Sequence, residues 1–182
     1  MKNRKFADGP VWFDGTNINE ALFCDEFLNH HKIIFANGAF FTPDGRVTDD
    51  IPLRGTIYEE LKCCAVNNIP RKITNILEVM KLAAHVEDFP PEADRIHLTN
   101  GTLKLDGTFT EGRPEIVRSR LSVAYRPDAP RPECWLSFLD GLLYLEDIPT
   151  LQEFIGYCLI PSNKGQRMMV IKGEGGEGKS QI

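Results

Sequence analysis

The residues with the clearest chemical purpose in this chain are Gly173-Glu174-Gly175-Gly176-Glu177-Gly178-Lys179-Ser180. They match the phosphate-loop pattern G-x-x-x-x-G-K-[ST] at every fixed position. Glycines let the backbone curl so that successive N–H groups face phosphate oxygens, the lysine reaches the outer phosphates, and the hydroxyl that follows it ligates Mg²⁺. The pattern predicts that Gly173, Gly175, Gly176, Glu177, Gly178, Lys179 and Ser180 hold ATP phosphates, with Ser180 as the Mg²⁺ ligand. The apolar run Met168-Met169-Val170-Ile171 leads straight into the loop and predicts the buried-type strand that such a motif follows.

A phosphate loop works by opening a helix whose first-turn N–H groups and positive dipole end face the anion. Only Gln181 and Ile182 follow Ser180. The chain therefore reads as the front part of a longer ATPase. By itself it is expected to hold no ATP or Mg²⁺ tightly, to carry no catalytic residue and to show no turnover.

A second group with chemical potential is a run of arginines. Arg113, Arg118, Arg120, Arg126 and Arg131 face only Glu115 and Asp128 over the same stretch, and Lys2, Arg4 and Lys5 add charge at the start. The formal net charge is −5, which excludes a surface that is basic all over. A local basic stretch suits contact with DNA phosphates. Arginines in a connecting segment also serve as solvated groups or pair with carboxylates, and both readings stand at this level.

The remaining reactive side chains point to packing. Cys24, Cys63, Cys64, Cys134 and Cys158 are odd in number and include a vicinal pair ill suited to an ordinary disulfide, so they read as reduced core thiols without metal-ligand spacing. His30, His31, His85 and His97 form no metal motif either. Nucleotidyl transfer needs clustered carboxylates for two metals. The acidic pairs Asp49-Asp50, Glu59-Glu60 and Glu87-Asp88 read instead as solvated helix ends and loops. With 42% hydrophobic and 26% charged residues, no apolar run of membrane-spanning length and no signal-peptide core, the composition predicts a soluble cytoplasmic protein without a membrane partner.

These groups need elements to position them, and the periodicity predicts an α+β fold. Leu22, Phe23 and Phe27 suggest an amphipathic helix over 19–31. Asn37-Gly38 and Pro43-Asp44-Gly45 then separate short apolar runs, as in hairpin strands. Leu53, Ile57, Leu61, Cys64 and Ala65 recur at helical spacing. After a break at Asn67–Pro70, so do Ile73, Ile76, Leu77, Met80, Ala83 and Ala84, and the two helices should pack together. Asn100-Gly101 and Asp106-Gly107 punctuate a β-meander from 96 to 110 as positive-φ turns, and 120–125 is a candidate further strand. Pro127, Pro130 and Pro132 make an extended connector. Helices follow over 133–144, carrying Trp135, Phe138, Leu139 and Leu142, and over 150–159, where Thr150 and Glu153 have capping-box spacing. The expected organisation is an α+β domain over 1–128, a helical connector over 129–163, and the strand and loop of an ATPase domain over 164–182.

Asn100-Gly101-x-Leu103-x-Leu105, Arg120-Leu121 through Tyr125, Trp135-Leu136-Ser137-Phe138-Leu139, the run Leu151-Gln152-Glu153-Phe154-Ile155-Gly156-Tyr157-Cys158-Leu159 and the Gly-rich loop come in that order. In this the chain resembles the phage and plasmid primase-helicase family, related to the poxvirus primase-helicase, most clearly from about Ile96 to Ser180. The resemblance implies a helicase-associated N-terminal domain joined to a superfamily-three AAA+ helicase. Such a helicase assembles as a ring, commonly a hexamer, and uses ATP to move along single-stranded or forked DNA in the cytoplasm of a bacterial host. Family members often carry Asn where Glu177 stands, so Glu177 adds a negative charge beside the phosphates. The family's acidic metal motif, polar sensor and arginine finger are not found before Ile182. Two other classes fit the residues: a different P-loop ATPase or kinase, although simple kinases carry the loop near their start, and a non-enzymatic DNA-holding or protein-docking module.

Overall fold

The computed structural model describes residues 9–64, 67–113, 116–160, 162–173, 176, 178, 180 and 182. Among them, five helices and two three-stranded antiparallel sheets make an α+β protein. By packing, the chain falls into two units, Met1–Pro90 with Arg113–Arg120, and Pro91–Gly112 with Leu121–Ile182.

The first unit begins with helix α1, Glu20–His30. Asn19 starts it, its side-chain oxygen accepting the Leu22 N–H at 3.1 Å. Phe23, Cys24 and Phe27 are the buried face, and Leu22 points outward instead of into the core. Strands β1 (Ile34–Ala36), β2 (Ala39–Thr42) and β3 (Gly45–Arg46) follow in sequence order. Asn37 and Gly38 link the first two with φ of 50° and 75°, the left-handed pair that a tight two-residue hairpin requires. Helices α2 (Ile51–Leu61) and α3 (Ile69–Ala83) each carry a proline in the first turn, where its missing N–H costs nothing.

Packing follows from the 3.6-residue period. Leu53, Ile57 and Leu61 of α2 and Ile73, Ile76, Leu77 and Met80 of α3 join Trp12, Phe23, Cys24 and Phe27 in one cluster. Helix α3 packs on α2, as expected, and also on α1 and β1. The Trp12 ring meets Phe23 edge-on at 5.0 Å, and Phe23 stacks on Phe27 at 5.6 Å. Phe35 of β1 exchanges backbone bonds with the end of α3, donating to the Ala84 carbonyl at 2.7 Å and accepting from Val86 at 3.0 Å. Ala65, expected to extend the α2 pattern, lies outside the described residues.

The second unit opens with β4 (Arg95–Leu98), β5 (Gly101–Lys104) and β6 (Phe109–Glu111). Its first turn departs from expectation. Gly101 has no positive φ and instead begins β5, paired with Leu98. Glycine is required there for space: a Cβ would collide with the Thr110 carbonyl and the Phe109 ring. Asn100 uses its amide rather than its backbone, donating to the Tyr125 carbonyl at 2.9 Å and accepting the Tyr125 N–H at 2.8 Å. Asp106-Gly107 does turn with positive φ, at 86° for the glycine. Residues 120–125 are not a strand. They run beside β4 through two bonds, Leu121 N–H to the His97 carbonyl and Thr99 N–H to the Val123 carbonyl.

Helices α4 (Glu133–Leu142) and α5 (Ile148–Cys158) complete this unit. Helix α5 starts two residues before Thr150, because Pro149 suits its first turn, so the Thr150–Glu153 capping box does not form. The expected core thiols are also redistributed. Cys24 is buried and Cys64 half-buried, whereas Cys63, Cys134 and Cys158 are exposed. Among the described residues no helix is long and apolar enough to cross a membrane.

The Gly101 environment yields a direct test. Gly101→Ala should destabilise the chain by about 2 kcal/mol, the scale of overpacking a tight site, read as a lower urea midpoint, whereas Gly55→Ala in α2, where a Cβ meets open space, should be neutral or stabilising.

Candidate nucleotide loop and arginine stretch

The glycine-rich loop is approached through α5. Tyr157, on its last turn, reaches past the helix end so that its hydroxyl oxygen accepts the Gly165 N–H at 3.1 Å. A Cβ on Gly165 would sit 3.2 Å from that oxygen, so glycine permits the close approach. From this clasp residues 167–172 run back along α5, leaving a groove of about 620 Å³ lined by Phe154, Tyr157, Arg167, Met168 and Met169 among others.

The apolar run before the loop is not a strand among the described residues. Met168 and Val170 are 85% and 75% exposed, and only Met169 is half-buried. A strand exists by virtue of its ladder partners, and no described strand lies beside this one to supply them.

Of the motif itself the structure describes Gly173, Gly176, Gly178 and Ser180; Glu174, Gly175, Glu177 and Lys179 lie outside the described residues. Gly176 and Gly178 have φ of 87° and 84°, left-handed conformations that a side chain would strain. Left-handed residues of this kind also occur in the anion-binding nests of phosphate loops. Gly178 rests near Phe138 of α4, whose ring a Cβ would touch at 3.4 Å. Gly173 and Ser180 are exposed.

The five arginines divide sharply. Arg118 is half-buried, its guanidinium 5.6 Å from the Phe41 ring centre and 5.5 Å from that of Phe89, while its Nε donates to the Phe89 carbonyl. Arg120 is also half-buried and donates from Nε to the Pro43 carbonyl at 2.8 Å. Burial, and then repulsion from Arg113, pull its pKa below the ordinary value, with Asp44 acting in the opposite sense. Arg113 is ion-paired with Asp44. Arg126 and Arg131 are exposed, the latter 3.5 Å from Glu133. Pro114 and Glu115, within this stretch, lie outside the described residues, as do Lys2, Arg4 and Lys5.

Asp49-Asp50 and Glu59-Glu60 stand at the two ends of α2, and Glu87-Asp88 lies in irregular chain after α3. Asp49 accepts the Ile51 N–H at 2.9 Å and Asp50 bonds Arg54 at 2.7 Å, while Glu59 pairs with Lys62 and Glu60 with His31. Among the described residues no three acidic, cysteine or histidine side chains gather in a way that would hold a metal. His97 is buried, its Nε2 2.6 Å from Glu92 and its Nδ1 3.0 Å from the Thr102 hydroxyl, so it ties β4 to its surroundings. The rings of Tyr125 and Trp135 lie against Phe109 and Phe138 at 4.8 and 5.6 Å.

No protein-family model matches the chain, and a search of curated proteins finds no match.

Sequence reading found the loop by its pattern but placed Asn100 in a turn and Tyr157 only in a family-like run, and gave neither its partner, 25 and eight residues away. Nor did it distinguish Arg118 from Arg126, since both are arginines in an irregular segment. The distinction is measurable: Arg118→Ala should lower stability by about 2 kcal/mol, from a lost charged hydrogen bond and ring contacts, while Arg126→Ala should leave the denaturation midpoint unchanged.

Proposed function

We propose that this chain is the helicase-associated portion and phosphate loop of an ATP-dependent DNA replication helicase of the primase-helicase type, acting as a ring on single-stranded or forked DNA in the cytoplasm. The observation that carries the reading is the complete G-x-x-x-x-G-K-S pattern with glycines in left-handed conformations at Gly176 and Gly178. The clasp between Tyr157 and Gly165 supports it, because it connects the helix bearing Gln152-Glu153-x-x-Gly156-Tyr157 to the segment entering the loop.

In this reading the backbone N–H groups of Gly173–Gly178 bind phosphate oxygens, Lys179 neutralises charge on the outer phosphates and Ser180 supplies its hydroxyl to the Mg²⁺ that accompanies ATP. Mg-ATP provides the reactive phosphoanhydride. Positioning and charge neutralisation are what the loop residues contribute.

DNA contact in this reading belongs to the exposed members of the basic stretch, Arg126 and Arg131, whose heads face solvent. Arg118 and Arg120 are half-buried, and each donates from Nε to a carbonyl, of Phe89 and Pro43 respectively. The same division gives weight to a second reading, a protein-docking module without nucleic-acid contact, because it leaves few cations for phosphates.

The helicase reading is tested by ATP hydrolysis in the helicase carrying this sequence. Lys179→Ala should lower turnover by about 100-fold or more, and retained ATPase activity would overturn the assignment. For DNA, anisotropy titrations with single-stranded and forked oligonucleotides at several salt concentrations should show sequence-independent binding that weakens as salt rises. Arg126→Glu/Arg131→Glu should reduce the log–log salt slope by about 1.5, given roughly 0.7–0.9 per phosphate contact; an unchanged slope would favour protein docking.

A further inference from the structure

We propose that Cys63 and Cys64 form a two-thiol chelating site for a thiophilic trivalent metalloid, with a monosubstituted arsenical as the chemical class of ligand. The site lies in the first unit and is independent of the nucleotide reading. Just past α2 the chain turns through 62–64, and the two adjacent sulfurs come to 3.3 Å from each other. Cys64 is half-buried and packs against the core cluster that includes Leu61, while Cys63 is exposed. Cys63 Sγ also donates to the Glu60 carbonyl at 3.3 Å. One thiol is thus anchored by packing, the other is open to solvent, and the pair is held before any ligand arrives.

The spacing selects the kind of centre. Two bonds of about 2.3 Å from sulfur to a central atom span about 3.8 Å at a tetrahedral angle but about 3.3 Å at a right angle. The observed separation of 3.3 Å suits the second, the pyramidal geometry of a trivalent centre with a lone pair. Closure to a disulfide is disfavoured, because adjacent Cα atoms are about 3.8 Å apart and ordinary disulfides need at least about 4.4 Å. Burial, followed by the hydrogen bond shared with Cys63, pushes the Cys64 thiol up to about 11. It stays protonated at neutral pH and is a poor nucleophile toward alkylating agents or peroxide. Condensation with an organoarsenic dihydroxide tolerates that state. Two S–H and two As–OH bonds break, two As–S bonds form, and both protons leave in two waters with no change of oxidation state.

The test uses the full reduced chain and phenylarsine oxide, followed by intact mass. The expected result is one phenylarsenic group per chain, located on the 63–71 tryptic peptide, retained in excess 2-mercaptoethanol and removed by 2,3-dimercaptopropanol. Cys63→Ser, at an exposed position, should abolish the adduct, whereas Cys134→Ser/Cys158→Ser should leave it unchanged. An unmodified wild-type mass, an adduct stripped by the monothiol or an adduct that survives Cys63→Ser would each overturn the proposal. The monothiol and dithiol arms are read on the wild type and do not depend on how any variant folds.

Discussion

The first unit depends on the seating of one guanidinium. Residues 113–120 return to this unit after the chain has built the β-meander of the second, and Arg118 holds the return in place. Its planar, permanently charged head suits a site bounded by the Phe41 and Phe89 rings and a backbone carbonyl, where a lysine would lose both the stacking and the fixed donor geometry. The Arg118 carbonyl in turn accepts the Arg46 N–H at 3.1 Å. That bond covers β3, a two-residue edge strand that would otherwise present open backbone groups. Gly45, with φ of 107°, allows the approach, since a Cβ there would come within 3.3 Å of the Ser119 Cα.

Asn100 does comparable work in the second unit. Its amide satisfies both backbone groups of Tyr125 and so fixes the stretch beside β4 without making it a strand. Tyr125 then lays its ring on Phe109, and Phe109 occupies the space that Gly101 leaves free. The Asn-Gly pair therefore matters for an amide and a missing Cβ, not for two left-handed dihedrals. At Asn37-Gly38 the same dipeptide does serve the turn, because a two-residue loop joins Ala36 to Ala39 directly. The local pair is identical and the register around it decides which property is used.

The candidate nucleotide site divides along the same line. The loop pattern is legible because its chemistry is local: glycines for curvature, a lysine and a hydroxyl at set positions. The strand expected from Met168–Ile171 was not realised, since four apolar residues have a period but no ladder unless another strand lies beside them. Among the arginines, charge density was legible and availability was not. Whether a guanidinium meets a phosphate or a carbonyl of its own chain depends on what folds next to it, and Phe89 and Pro43 are 29 and 77 residues from the arginines they engage.

Hydrophobic period and proline and glycine placement were enough to determine the helices, the hairpins and the α+β class, because each is decided within a turn of helix or a pair of short strands. The sequence by itself also determined the phosphate-loop motif and the vicinal thiols. Tertiary structure alone decided that α3 also packs on α1 and β1, that 113–120 folds back on the first unit, that Arg118 and Arg120 bond to carbonyls of their own chain, and that the sulfurs of Cys63 and Cys64 share one side of the chain at 3.3 Å. The physical reason is that burial and hydrogen-bond satisfaction are settled between residues far apart in sequence, where no local pattern carries the information.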